Sequence, residues 1–82
     1  MANIPQAEGF YVSARYRDRG VLLLGPYATH AEARANVDRA RRYVLDNDPR
    51  GWLYAYGTAR GVAKPGRPLL RGRLNDRLGL TE

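Results

Sequence analysis

A stripe of small apolar residues along one predicted helix is the feature that most restricts how this chain can fold. Four residues recur at spacings of four, three and four positions: Ala33, Val37, Ala40 and Val44. This periodicity places all four on one face of an α-helix. Because their side chains are short, the helix can lie close to a sheet and accept larger side chains from it. The stripe therefore predicts a core that is closed by one helix lying flat on a sheet.

Local signals mark both ends of this helix. Thr29 and Glu32 have the spacing of a capping box, in which each side chain accepts a hydrogen bond from the backbone N–H of the other residue. The run Asn47-Asp48-Pro49 predicts the end, because proline disfavours helical geometry in the residue before it. We therefore expect one helix between these two signals.

Three short segments predict the strands of the sheet. From Phe10 to Tyr16 the side chains alternate with a period of two, which is typical of a half-buried strand. Residues Val21–Leu24 are apolar on both faces, and we expect Gly25-Pro26 to end this strand because proline has no amide hydrogen to donate. Residues Gly51–Gly57 predict the third strand. The predicted fold class is α+β, a small three-stranded antiparallel sheet with one helix packed on one face, in the order ββαβ.

Length and composition are consistent with one small domain. A chain of 82 residues without cysteine has no disulfide to stabilise it, and domains of this size bury only about 60% of the surface that their unfolded chain exposes. Oligomerisation or a bound partner would supply the missing stability. We expect a loose N-terminus at residues 1–9, a ββαβ domain at residues 10–57, and a basic tail with proline and glycine at residues 58–82, partly flexible or forming a short helix.

Positive charge is concentrated toward the end of the chain. Of the formal net charge of +6, residues 58–82 contribute a surplus of four and residues 1–57 a surplus of two. Arginine suits bidentate contacts with phosphate, so nucleic acid, with DNA favoured, is the expected partner. The candidate nucleic-acid-binding residues are Arg15, Arg17, Arg19, Arg39, Arg42, Lys64, Arg67, Arg71 and Arg73. The hairpin arginines could instead be ordinary solvated positions that keep an edge strand from aggregating.

The predicted sheet has more apolar surface than one helix can cover. The residues that we expect at a partner or dimer interface are Trp52, Tyr54, Tyr56, Leu22 and Leu24. A second copy of the chain, the leucine-bearing tail or a base stacked on the aromatic rings could cover this surface. Alternatively, the three aromatic residues simply form the core beneath the helix. A homodimer is the expected assembly.

Residues that could carry catalysis are few. His30 is the single histidine and has neither a cysteine nor a serine at a motif spacing, and no phosphate-binding loop is present. We expect no enzymatic activity, no metal and no cofactor. The chain start lacks the pattern of a secretory signal and no apolar run approaches the ~20 residues of a membrane span. A soluble, cytoplasmic protein without a membrane partner is therefore expected.

Two segments resemble a known family of DNA-binding domains. Residues Leu24-Gly25-Pro26-Tyr27 and the alanine-rich helix from Thr29 to Ala40 resemble the hairpin-to-helix portion of AP2-like domains, including the arm-binding domains of phage tyrosine integrases. The resemblance implies DNA binding by the sheet, with strand arginines contacting base edges. The same corner is similar to that of SPOR-type peptidoglycan-binding domains.

The chain as a whole resembles the short proteins of phages and prophages. That resemblance implies an alternative function, an inhibitor or adaptor that binds a host protein, for example a defence component, through an exposed apolar sheet face. The function expected from the sequence is a small basic nucleic-acid-binding module that uses the hairpin arginines and the tail.

Overall fold

The computed structural model describes residues 8–79. Its elements are β1 (Glu8–Tyr16), β2 (Arg19–Tyr27), α1 (His30–Ala35), α2 (Val37–Asn47), a one-turn 3-10 helix (Gly51–Leu53) and β3 (Ala55–Val62). The strands form one antiparallel sheet in the order β2-β1-β3, with β1 in the centre. The predicted α+β class and three-stranded antiparallel sheet are confirmed, whereas the ββαβ order is met only in part because two helices and a 3-10 turn stand between β2 and β3. Most of the predicted loose N-terminus lies outside the described residues.

The second strand is longer than predicted. β2 continues through Gly25 and Pro26 to Tyr27, so the expectation that this dipeptide ends the strand is wrong. The register between β1 and β2 shifts on both sides of Val12, which gives β2 two more residues than the stretch of β1 that it pairs with. Gly25 has φ +134°, and a Cβ there would lie 2.8 Å from the ring of Tyr11. Only glycine fits this bulge, and the bulge lets the strand continue past the proline.

The predicted helix is confirmed in position but is bent at Asn36. The capping box of Thr29 and Glu32 is present, and α2 ends at Asn47 as expected. Asn36 Nδ2 donates to the carbonyl of Glu32 at 2.8 Å, while the Asn36 backbone N–H donates to Ala33 at 3.0 Å. The side chain thus replaces the regular backbone bond to Glu32 and separates α1 from α2.

The small-residue stripe faces the sheet as predicted. Ala33 and Ala40 are fully buried, and Val37 and Val44 are half-buried. Ala40 packs in one cluster with Val12, Ala14, Leu23 and Leu24 of the sheet. The small side chains of the helix therefore meet larger apolar side chains from β1 and β2.

The third strand lies further along the chain than predicted. Residues Gly51–Leu53 form the 3-10 turn, and β3 pairs with β1 from Ala55 to Val62. The side chains do alternate along the predicted strand. However, the backbone N–H groups of Gly51 and Leu53 donate to carbonyls of the preceding loop, and these hydrogen bonds close a turn in place of the start of the strand. Residues 58–62, which the sequence analysis assigned to the tail, belong to the sheet.

The sheet face away from the helices carries mostly small side chains on β3. The register pairs Gly57 with Ser13 and Ala59 with Tyr11, so these residues share that face. Leu24, predicted there, is instead fully buried in the cluster beneath the helix. Consequently this face has much less apolar surface than the sequence analysis expected.

A C-terminal segment, residues 69–78, closes the outer edge of β2. The backbone N–H groups of Gly72, Arg73 and Leu74 donate to β2 carbonyls at 2.8–3.1 Å. Just before these contacts, the Tyr11 hydroxyl donates to the carbonyl of Leu70 at 2.6 Å. Tyr11 lies on the face away from the helices, so the segment starts on that face and continues along the strand edge.

The same segment then reaches the helix side of the sheet. Leu74 and Leu78 pack against the core cluster, and Arg39 of α2 donates to the carbonyl of Leu78. Asn75 is 3% exposed and exchanges two hydrogen bonds with the backbone of Gly25. Residues 69–78 therefore fold back onto the β2 edge and the helix side of the sheet, and they reach the other face at Tyr11. Within residues 8–79 no helix is both long enough and apolar enough to cross a membrane.

Candidate nucleic-acid interface

An open groove of about 940 Å³ lies at the end of the sheet that carries the β1–β2 turn. One wall is the hairpin, the other is the end of α2 with the loop that follows it, and Arg73 and Leu74 line it from the C-terminal segment. We call this the hairpin groove. Its charged residues are five arginines and two aspartates: Arg15, Arg17, Arg19, Arg50, Arg73, Asp18 and Asp48.

The two-residue turn places arginines on the hairpin wall. Tyr16 pairs with Arg19, so Arg17 and Asp18 form the turn. Arg17 has φ +59°, the left-handed region that most side chains avoid. Its guanidinium carbon lies 5.3 Å from the centroid of the Tyr16 ring, within the range of a cation–π contact. The turn therefore contributes one cation, Arg17, beside the Tyr16 ring.

Arg15 lies opposite Gly20 in the β1–β2 pairing. A Cβ at Gly20 would make an ordinary contact with Cγ of Arg15, at 3.7 Å. Along β1, Arg15 lies on the same face as Tyr11 and Ser13, so it reaches the groove from the side of the sheet away from the helices. Arg19, at the start of β2, is also exposed.

Asp48 organises the opposite wall. One carboxylate oxygen accepts the backbone N–H of Arg50 at 2.9 Å, and the other accepts the hydroxyl of Tyr54 at 3.0 Å. These bonds, led by the one from Arg50, hold the pKa of Asp48 below its ordinary value. The same carboxylate raises the pKa of the Tyr54 hydroxyl. Asp48 is therefore ionised at neutral pH, and its two oxygens hold Arg50 and Tyr54 in place.

Tyrosine rings form the floor between the walls. Tyr16 and Tyr54 meet edge to face at 6.1 Å, and Tyr54 meets Tyr56 in the same way at 6.2 Å. Tyr56 donates its hydroxyl to the carbonyl of Gly51 at 2.7 Å. Tyr16 remains 37% exposed and lines the groove together with Tyr43 and Tyr54. The floor thus combines apolar ring surface with a basic rim.

The structure brings together four of the nine predicted nucleic-acid residues, namely Arg15, Arg17, Arg19 and Arg73. The others lie elsewhere. The Arg39 side chain donates a hydrogen bond to the C-terminal segment. Arg71 forms a salt bridge with Asp76 at 3.3 Å, and Arg42 is exposed on α2. Lys64 and Arg67 flank a tight turn in which Gly66 has φ +78° and the Arg67 N–H donates to the Lys64 carbonyl.

Sequence reasoning missed Arg50. The signal was present, because a helix that starts at the end of β2 and runs back over the sheet must finish beside the β1–β2 turn. Arg50 comes three positions after the end of α2 and is therefore placed opposite the hairpin arginines.

The predicted partner-interface residues are also dispersed. Leu24 is fully buried, Leu22 is half-buried, and Tyr54 and Tyr56 pack against the core. Trp52 is 73% exposed on the 3-10 turn. His30 is exposed, contacts the Thr58 hydroxyl at 2.9 Å and meets the ring of Phe10 edge-on.

Comparisons with known proteins show no family for this chain. No protein-family model matches the chain, and neither a curated protein nor a solved structure matches it significantly.

Proposed function

We propose that this chain is a small, non-enzymatic nucleic-acid-binding module whose contact site is the hairpin groove. The observation that carries the proposal is that five arginines, from the hairpin, the loop after α2 and the C-terminal segment, line one groove. Arginine contacts phosphate oxygens in bidentate fashion, and several such contacts release enough counterions to drive binding. The formal charge of +6 supports the same sign of partner. DNA is the partner that the strand arginines favour.

The salt dependence of binding tests this proposal. Fluorescence anisotropy with a labelled DNA oligonucleotide, measured between about 50 and 200 mM salt, gives the slope of log K against log salt. For duplex DNA each lost phosphate contact lowers the slope by about 0.9. The double variant Arg50→Ala/Arg73→Ala should therefore bind more weakly with a flatter slope.

A matched control tests whether binding is specific to the hairpin groove. Arg42→Ala/Arg67→Ala removes the same charge from exposed positions outside the groove. This variant should keep most of the affinity and slope. If the two double variants lost affinity equally, binding would be spread over a basic surface and not confined to the groove. An affinity that does not change with salt would contradict the proposal altogether.

The alternative function, an inhibitor or adaptor that binds a host protein, has one supporting observation. Trp52 is a large apolar side chain that is 73% exposed, and tryptophan is enriched at binding hot spots. The sheet face on which this alternative was based carries small side chains on β3, such as Gly57 and Ala59, and the half-buried Leu22 on β2. A contact through Trp52 would respond little to salt, so the same titration separates the two functions.

We also propose that two copies of the chain pair along the outer edge of β3. Among residues 8–79 that side of β3 has no partner strand, whereas the outer edge of β2 is engaged by the C-terminal segment. Gly57 and Ala59 offer no bulk on the sheet face beside that edge. An unprotected edge strand readily pairs with another strand, and a small domain gains stability from such pairing.

A further inference from the structure

The hairpin groove differs in shape from a surface that reads duplex DNA. Readers of the major groove insert a protruding helix or ribbon between the two strands. Here the arginines line a concavity between the hairpin and the end of α2. Its volume of about 940 Å³ is on the scale of a small-molecule site, which spans roughly 300–1,000 Å³. An open concavity of this size has room for a nucleotide unit.

The floor of the groove offers surface for an unstacked base. Tyr16, Tyr54 and Leu74 line it, and Tyr16 is 37% exposed. Bases in a duplex are stacked on each other and paired, so their faces are not available to such a floor. In a single strand the bases can be splayed out and packed against aromatic rings.

The rim supplies a second type of contact suited to a single strand. The Arg17 guanidinium lies over the Tyr16 ring at 5.3 Å, and a guanidinium plane can itself stack on a base. Arg50 and Arg73 lie on the other parts of the rim, where they can meet the phosphates on either side of a base held in the groove.

We infer that the hairpin groove binds single-stranded nucleic acid, with a base against Tyr16 and Tyr54 and neighbouring phosphates on the arginine rim. This inference rests on the proposed function and names the class of nucleic acid that the same site takes. A single strand of DNA and one of RNA share the chemistry that the groove recognises, so both belong in the test.

The experiment measures anisotropy with labelled twelve-nucleotide dT and U strands and with a DNA duplex of the same length at fixed salt. The full-length chain should bind at least one of the single strands roughly tenfold or more tightly than the duplex. Tyr16→Leu keeps an apolar side chain at a position that is already 37% exposed, so the fold is retained. It should weaken single-strand binding by roughly tenfold, the size expected for losing one stacked base, and change duplex binding little.

Trp52→Leu is the matched control, because Trp52 is exposed but does not line the groove. It should leave both affinities unchanged. Duplex binding as tight as single-strand binding, with no effect of Tyr16→Leu, would overturn this inference while the groove arginines could still carry binding. Failure of all three probes to bind at low salt would overturn the proposed function itself. A stronger effect from Trp52→Leu than from Tyr16→Leu would move the stacking site out of the groove and also overturn the inference.

Discussion

At the scale of single residues, the β1–β2 turn places an arginine where the backbone favours glycine. Arg17 has φ +59°, and for a residue with a Cβ this conformation costs roughly 1–2 kcal/mol. A residue that adopts positive φ without this cost, such as glycine, would close the hairpin more favourably at position 17. We therefore interpret Arg17 as a residue present for its charge beside Tyr16 and not for its turn preference.

Glycine substitutions on the hairpin test this interpretation. Arg17→Gly relieves the backbone strain, so the free energy of unfolding should stay the same or rise slightly. Arg19→Gly removes the same charge from a strand position without positive φ and should lower it by about 0.5–1 kcal/mol. Urea unfolding of both variants gives the two values. A larger loss for Arg17→Gly than for Arg19→Gly would contradict the proposed strain, and both variants should bind nucleic acid more weakly.

Asp48 makes the stability of the groove wall depend on pH. Its pKa is held below the ordinary value of 3.8 by the Arg50 backbone N–H and the Tyr54 hydroxyl. A folded-state pKa below the unfolded one gives stability that is fully present above about pH 4 and lost as the pH falls through the folded value. The stability advantage of the wild-type chain over Asp48→Asn should therefore hold from about pH 6 down to about pH 4 and shrink as the pH falls further toward about 2. An advantage that stays constant over that range would show that the carboxylate has no such role.

At the scale of elements, local signals predicted well and long-range ones poorly. The capping box and the stripe from Ala33 to Val44 depend on residues within a few positions of one another, and both are confirmed. The bend at Asn36 depends on one side-chain hydrogen bond that periodicity does not reveal. The start of β3 depends on its pairing with β1 and on the turn closed at Gly51, so alternation alone placed the strand too early.

The C-terminal segment was the largest element that sequence reasoning did not place. Proline, glycine and positive charge between residues 58 and 82 predicted a tail, and only the leucines hinted at packing. Their partners are β2 carbonyls and the Tyr11 hydroxyl, which become available only once the sheet has formed. The segment therefore depends on long-range partners that its own sequence does not reveal.

A matched pair of tyrosines tests the role of this segment. Tyr11→Phe removes the hydrogen bond to the Leu70 carbonyl and should lower the free energy of unfolding by about 0.5–1.5 kcal/mol. The Tyr27 hydroxyl is buried without a hydrogen-bond partner within residues 8–79, so Tyr27→Phe should cost nothing or stabilise. The shift in the midpoint of urea unfolding, at an unchanged dependence of the unfolding free energy on urea concentration, measures the cost of each substitution. Equal costs for the two variants would mean that the Leu70 contact does not hold the segment.

At the scale of the whole molecule, the two edges of the sheet differ. The outer edge of β2 is engaged by residues 72–74, whereas that of β3 has no partner strand in the described part of the chain. The groove arginines come together at one end of the same sheet because the helical region starts at the end of β2 and returns to the hairpin. The sequence predicted the charges, but Arg73 joins the others because the C-terminal segment runs along β2, which composition did not predict.

Cysteine crosslinking tests the proposed pairing of two copies through β3. The chain has no cysteine of its own, so one introduced residue reports one position. Gly57→Cys has open space around its Cβ, and Ala59→Cys lies on the same sheet face. At least one of the two should form a disulfide-linked dimer under mild oxidation, while Ala31→Cys on the exposed side of α1 should not. Equal crosslinking at all three positions would indicate random encounters.

The central claim, that nucleic acid binds in the hairpin groove, is tested most directly by mapping the contact residue by residue. Backbone amide chemical shifts of the isotope-labelled 82-residue chain, followed during titration with a dT strand, report where it binds. The largest changes should cluster at Gly20, Asn47, Arg50 and Arg73, which line the groove from its separate walls. Changes centred on the turn at Lys64–Arg67, or spread evenly over all exposed arginines, would contradict the claim.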